Sequence, residues 1–453
     1  MDFAWDFAKN AVRIQYADVP PDVIQVAKRD LLDTLGCALS GSVAPGGREI
    51  VALVKELGGN QEATVLAYGG KVSALEASLA NGTLANADDY SDTHENGHIH
   101  IGVTTIPAAL ALAERKGGVS GKDFLTSLAL SADFVCRMGA ANPDGSSTFN
   151  LTALYGYLGS AMAAGKLLKL DEEQMINAIG LAYTDAGGGR QGRLEGDLSK
   201  RVQAGFAARS GLLAAWMAEK GITGPKNVFQ GKAGITAIHN GRFNPEMLTP
   251  GLGEHFESIN LSFKLYPCCR FCHGHIDAAL AIAKEHDIKP EEIDSISAFV
   301  NREPHSQLDP LELKRNPRTV VDAQFSIPYT TAVALVRKKV TIDDFTAEAI
   351  KDPVVIKVAN KVSPVLDLSL RVHEPPPAVL EVKTRRDIFS KRIEYALGHP
   401  LNPINDEALV EKFRDCAAHS VRPLSEARLA DLIGMIDKLE KLGDMRELTE
   451  LLA

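Results

Sequence analysis

The ten residues from Tyr266 to His275, YPCCRFCHGH, gather Cys268, Cys269, Cys272, His273 and His275. Such a density of thiols and imidazoles raises the question of a metal or a haem. Cys269-Arg-Phe-Cys272-His273 matches the C-x-x-C-H pattern of covalent haem attachment, a chemistry of exported proteins. The opening residues, MDFAWDFAKNAVRIQYADVP, are acidic where an export signal is basic and contain no unbroken apolar stretch. A closed zinc or iron–sulfur site takes four ligands, and no second C-x-x-C stands elsewhere in the chain. What remains is a lining role, with Cys268 and Cys272 as small buried residues beside a pocket and the histidines as its polar wall.

A second stretch, ANADDYSDTHENGHIH from Ala85 to His100, carries Asp88, Asp89, Asp92, Thr93, His94, Glu95, His98 and His100 between two apolar segments. Composition leaves three readings open: a solvated loop, a set of metal ligands, or acid–base chemistry in which imidazole and carboxylate exchange a proton near neutral pH. As loop histidines, His94 and His98 are expected to be solvated. Cations stand at two places, Lys200 in Ser199-Lys200-Arg201 and Lys264 in Lys264-Leu265-Tyr266-Pro267. Lys264 sits among apolar neighbours, a poor fit to a surface lysine. Gly187-Gly188-Gly189-Arg190-Gln191-Gly192 satisfies G-x-G-x-x-G, but a dinucleotide site needs a strand before that pattern and a helix after it. The preceding INAIGLAYTDA has a helical pattern, so the glycines read as a flexible loop.

The scaffold that must hold these residues is mainly α. Of 453 residues, 45% are apolar and 24% charged, enough for a large core and more than one domain. PPDVIQVAKRDLLDTLGCALSG, ALEASLANGTLANA, TTIPAALALAERKG, GKDFLTSLALSADFVCRMGA, LTALYGYLGSAMAAGKLLKL, DEEQMINAIGLAYTDA and SKRVQAGFAARSGLLAAWMAEKG repeat apolar residues at helical spacing. Beyond about residue 290, EEIDSISAFVNRE, DLSLRVHE and AVLEVKTRRDIFSKRIEYA alternate as strands do, with helical PYTTAVALVRKK and TAEAIKDPVVIKVANKV between them. The expected organisation is a large all-helical domain over residues 1–269, a smaller α+β domain over 270–397 inserted before the C-terminal helices, and residues 398–453 returning to the first domain. A formal charge of −9 offers nothing broad to nucleic acid or to an anionic membrane. No stretch of about 18 uncharged apolar residues is present to span a bilayer. The expected setting is the cytoplasm.

In order along the chain, VIQVAKRDLLDTLGCALSG, NGTLANADDYSDTH, IPAALALAE, SKRVQAGFAARSG with GITGP after it, KLYPCCRFCHGHIDAAL, QFSIPYTTAVAL and GHPLNPINDEALVEKFR resemble the MmgE/PrpD family. That family contains 2-methylcitrate dehydratases, cis-aconitate decarboxylases and iminodisuccinate epimerases. The resemblance implies a homodimer that works without metal or organic cofactor on a small di- or tricarboxylate, with its site between the helical and α+β domains. YPCCRFCHGH then follows an active-site lysine and lines a pocket.

Residue by residue, the resemblance implies catalytic roles for Asp89, Thr93, His100, Lys200, Lys264 and Tyr329, and substrate-binding roles for Asn86, Asn150, Arg190, Gln203, Cys269, Arg270 and His273. The lysines, helped by Arg190, Arg201 or Arg270, would hold carboxylates and an enolate-like charge. His100 or Asp89 would be the base, and Tyr329 or a lysine the acid. Asn86, Asn150, Gln203 and Cys269 stand where dehydratases or decarboxylases of the family commonly have histidine, and Ser91-Asp92 replaces a paired Asp-Asp. Amides hydrogen-bond but do not shuttle protons.

The leading expectation is a hydro-lyase of the 2-methylcitrate dehydratase type, which abstracts an α-proton from a hydroxylated di- or tricarboxylate and eliminates water. The alternative is an isomerase of the iminodisuccinate epimerase type, which the missing histidines favour. A third is a scaffold that binds carboxylates without turnover.

Overall fold

Small residues decide how the helical layers meet. In the computed structural model, which describes residues 1–142, 148–302, 304–372 and 376–452, the Ser199–Glu219 helix packs against the helices Ala74–Asn86, Gly102–Lys116, Leu151–Leu168 and Glu172–Asp185. A Cβ added to Gly82 would stand 2.9 Å from the Gly205 Cα, and one on Gly211 would stand 2.6 Å from the Tyr157 carbonyl oxygen. Any side chain there would force the helices apart. The first crossing orients the site. Asn86, one turn past Gly82, donates its Nδ2 to the Lys200 carbonyl oxygen at 3.0 Å, tying the end of one helix to the start of the other.

Buried apolar residues fall mainly into two clusters. One runs from Ala4 to Phe263 and resumes from Ile404 to Leu452; the other covers Tyr266 to Val382. The Asp406–Ala418 helix lies along the Pro21–Ser40 helix. From it Lys412 reaches Asp33 Oδ1 at 2.6 Å and the Tyr90 carbonyl oxygen at 2.6 Å, with both charged side chains fully enclosed.

The second cluster is built on a four-stranded sheet in the order Val362–Leu366, Ile293–Val300, Ala378–Thr384, Ile388–Ile393. The first pair is parallel and the others antiparallel. In Ala378–Thr384 every second residue is buried, the period of a half-covered strand. The helices Arg270–His286 and Ile327–Arg337 pack together over this sheet.

One expected strand is corrected. In DLSLRVHE, Asp367 begins a turn in which its Oδ1 accepts from the Ser369 N–H at 2.9 Å, a side-chain-to-backbone bond that competes with a ladder. His373 and Glu374 lie outside the described residues. The strand is instead VSPVL just upstream, at the edge of a segment read as helix. Among the described residues no helix is long and apolar enough to cross a membrane.

Lys412→Met strands the Asp33 carboxylate in the core and is expected to lower unfolding free energy by about 3–5 kcal/mol. Urea unfolding measures the loss, and the double variant Asp33→Asn/Lys412→Met should recover part of it.

Candidate active site

Chain geometry around the acidic stretch assembles the site. Past Asn86 the backbone turns at Asp89, whose φ of 52° is left-handed, a conformation aspartate tolerates better than most residues. Thr93 and His94 then pair antiparallel with Ser262 and Leu261, so Lys264, just beyond that short ladder, comes level with Asp89. Asp92 accepts from the backbone N–H groups of Ile101 at 2.7 Å and Gly102 at 3.2 Å. This cap sets His100 at the entrance of the Gly102–Lys116 helix.

Asp89 joins two lysines. Its Oδ1 accepts from Lys200 Nζ, its Oδ2 from Lys264 Nζ at 3.2 Å, and its carbonyl oxygen from Lys264 Nζ at 2.7 Å. Lys264 has no exposed surface, and Asp89 has 4%. Burial alone would raise the Asp89 carboxyl, but Lys200 and Lys264 hold it well below the usual carboxylate range. Burial lowers the Lys200 ammonium; Asp89 opposes that shift and Lys264 adds to it.

His100 faces this triad as a neutral ring. Its Nδ1 lies 2.6 Å from the Asp92 carbonyl oxygen. A carbonyl only accepts, so Nδ1 carries the proton and Nε2 keeps its lone pair. Nε2 stands 4.0 Å from Asp89 Oδ1. Burial and the charge of Lys264, with a further contribution from Lys200, bring its pKa down to about 3.

These groups open on a cavity of about 290 Å³ lined from both apolar clusters. Asp89, Thr93, His100, Lys200 and Lys264 all reach it, as do Asn150, Arg190, Gln203, Cys269 and Arg270. Asn150 Nδ2 donates to Gln203 Oε1 at 2.7 Å, and Gln203 Nε2 donates to the Gly189 carbonyl oxygen at 2.8 Å. The glycine loop pairs with the backbone of residues 148–150, which makes it a wall of the cavity. Cys269 caps the Arg270–His286 helix, and burial pushes its thiol up to about 11, so it stands protonated. Arg270 borders the cavity with its guanidinium already engaged by Glu95 at 2.7 Å and the Leu397 carbonyl oxygen at 2.9 Å.

Four expected site residues are placed elsewhere. Tyr329 is fully buried in the smaller cluster, its hydroxyl donating to the Asp344 carbonyl oxygen at 2.5 Å. Asn86 serves the helix crossing. His273 is buried between Arg270, at 3.2 Å, and the Cys268 carbonyl oxygen, at 3.4 Å. Arg201 turns to the Pro45 carbonyl oxygen at 2.7 Å. Of the loop histidines expected to be solvated, His94 is instead enclosed against Glu257 at 3.2 Å, while the half-buried His98 lines the cavity with its ring 5.1 Å from Phe271. His94 and His98 therefore diverge, and among the described residues no group of three or more His, Cys, Asp or Glu side chains could hold a metal ion.

Sequence reasoning missed Arg193, Gln307, Phe149 and Phe325, which also line the cavity. Arg193, three residues after Arg190, carried a signal, since that spacing puts both on one side of a helical turn. Gln307 and Phe325 carried none, because they enter only through the packing of the smaller cluster.

Residues 5–248 match the MmgE/PrpD N-terminal domain and residues 266–438 the MmgE/PrpD C-terminal domain. A cis-aconitate decarboxylase-like protein of Aspergillus oryzae is 28% identical, over 96% of this chain and 94% of its own length. The cis-aconitate decarboxylase of Aspergillus terreus is 28% identical over 96% of this chain and 92% of its own. The human cis-aconitate decarboxylase is 28% identical over 95% and 90%.

Two outcomes follow from the geometry. His100 stays neutral in the folded chain down to about pH 3, whereas unfolded it takes a proton near 6.5. The unfolded state thus binds more protons between those values, and the stability at stake is complete above pH 6.5 and lost as pH falls toward 3. Thermal melts from pH 7 to pH 4 should therefore slope less for His100→Asn than for the wild type. Tyr329→Phe, which removes one buried hydrogen bond, should cost about 1 kcal/mol in urea unfolding while leaving ligand binding in the cavity unchanged.

Proposed function

The chain belongs to the MmgE/PrpD family, and from the chemistry of its cavity we propose that it is a lyase of the 2-methylcitrate dehydratase type. It removes a proton α to a carboxylate of a small hydroxylated di- or tricarboxylate and expels water. The observation that carries this reading is His100, a neutral imidazole whose free Nε2 faces two lysines. A base beside fixed cations is what abstraction of a carbon-bound proton next to a carboxylate requires.

A substrate carboxylate docks against Lys200 and Lys264. Its negative charge counters the lysine field that depresses His100, so the imidazole becomes a stronger base once substrate is bound. Nε2 takes the α-proton, and the electron pair moves into the carboxylate as an enolate held by the two ammonium groups. The pair then returns to form the carbon–carbon double bond as the neighbouring C–O bond breaks. Lys200 gives its proton to the departing hydroxyl, which leaves as water. The proton on His100 passes to solvent, and Lys200 is reprotonated. Lysine is the fitting acid because Tyr329 is engaged with Asp344 outside the cavity. The same reading takes the protein as a cytoplasmic homodimer.

Decarboxylation is the second reading, favoured by the likeness to cis-aconitate decarboxylases. There the lysines would hold the charge left when carbon dioxide departs, and a protonated group would return a proton to carbon.

Proton NMR of the EDTA-treated protein in D₂O with 2-methylcitrate, citrate, cis-aconitate, malate and iminodisuccinate separates these. Elimination should give a vinyl proton from citrate or malate and, from 2-methylcitrate, whose methyl-bearing α-carbon carries a single proton, a methyl doublet replaced by a vinylic methyl singlet. Loss of carbon dioxide from cis-aconitate would move the assignment to a decarboxylase, and exchange with inversion but no elimination to an epimerase; no exchange at all would remove the reading. His100→Asn and Lys200→Ala should each lose about 10²–10⁴-fold in kcat with circular dichroism unchanged.

A further inference from the structure

The scheme above uses one cationic pole of the cavity, and a second is present. Lys200 and Lys264 share Asp89, so that pole carries one net positive charge. Arg190 and Arg193 form the other wall: the Arg193 N–H donates to the Arg190 carbonyl oxygen at 3.1 Å, and both side chains line the cavity. Among the described residues no carboxylate forms an ion pair with Arg193. Burial lowers Arg190, with Arg193 adding to the shift, and burial also lowers Lys314, which Arg193 repels as well.

The spacing of the two poles is bounded by one ring. Arg193 Cζ lies 5.3 Å from the centroid of Phe325, and Lys200 Nζ lies 5.1 Å from the same centroid. The two cations are thus no farther apart than those distances laid end to end, within the reach of one short carbon chain bearing an acid at each end. Phe325 supplies the apolar surface that both cations approach, and Phe149 and Phe271 line the same cavity.

We propose that Arg193 is the specificity-determining cation of this cavity, receiving a second carboxylate of the substrate remote from the carbon that reacts at His100. The substrate class is then restricted to acids with at least two carboxylates joined by a short hydrocarbon span, and monocarboxylates are rejected for want of a partner to Arg193. A guanidinium suits the task because its planar fork takes a carboxylate with two parallel hydrogen bonds. The inference rests on the cavity being a carboxylate site, as proposed above, and does not depend on which reaction follows.

The test is calorimetric titration of the full-length protein with tricarballylate, which has no hydroxyl to lose, and with butyrate. Wild type, Arg193→Gln and Arg193→Lys are compared. Arg193→Gln should weaken tricarballylate by about 10- to 100-fold and leave the much weaker butyrate binding unchanged, and Arg193→Lys should recover part of the loss. With any turned-over polycarboxylate the defect should appear in KM more than in kcat. Equal weakening of both acids would make Arg193 only a brace on Phe325 and overturn the proposal. So would wild-type affinity for tricarballylate in Arg193→Gln, or no tricarballylate binding by the wild type. If tricarballylate binds with the Arg193 dependence while the D₂O panel shows no exchange, the lyase reading falls and this one stands. Turnover with no Arg193 dependence gives the reverse.

Discussion

The carboxylate of Asp89, held between Lys200 and Lys264, is the interaction on which the site depends. Its three members come from the turn that follows one helix, the start of another, and the segment just beyond a short strand. Each charge is costly to bury alone, and only their mutual satisfaction offsets that cost. Packing that brings one of them in therefore requires the others. The Gly82–Gly205 approach, the Asn86 bond to the Lys200 carbonyl oxygen and the two-residue ladder at Thr93 and His94 all deliver side chains to this one point. Burial and then the charge of Lys264 keep His100 neutral, Asp89 working against them, while the Asp92 carbonyl oxygen fixes the tautomer.

Behind the cavity lie further buried carboxylates. Asp92 caps the Gly102–Lys116 helix with its pKa raised to about 7 by burial, opposed by the backbone N–H bonds it accepts and reinforced by Asp33. Asp33 is met by Lys412 from the C-terminal helices, and the same ammonium holds the Tyr90 carbonyl oxygen next to Asp89. The tail of the chain thus braces the acidic loop from beneath. An acidic protein of net charge −9 presents a cationic cavity by this local arrangement.

Much of this was legible along the chain. Helical period, proline starts and glycine stops placed the long helices, because those signals are local. The family resemblance picked Asp89 and His100 out of the acidic stretch and Lys200 out of its helix, and an apolar setting already marked Lys264 as an unusual lysine. Tyr329 entered through the resemblance, which carries no side-chain direction; here its hydroxyl points to Asp344. DLSLRVHE misled for a local reason, as its alternating pattern is overruled by a side-chain turn at Asp367.

From sequence alone came the mainly α class and the family likeness, because composition, period and order along the chain carry that information. Tertiary structure decided the rest. It showed that one aspartate serves two lysines, that His100 turns its Nδ1 to the Asp92 carbonyl oxygen, that Asn150 is bound to Gln203, and that Arg193 and Lys200 both approach the Phe325 ring. Those facts depend on distances between residues far apart in the chain and on the water that packing removes, and neither is encoded in any local window of sequence.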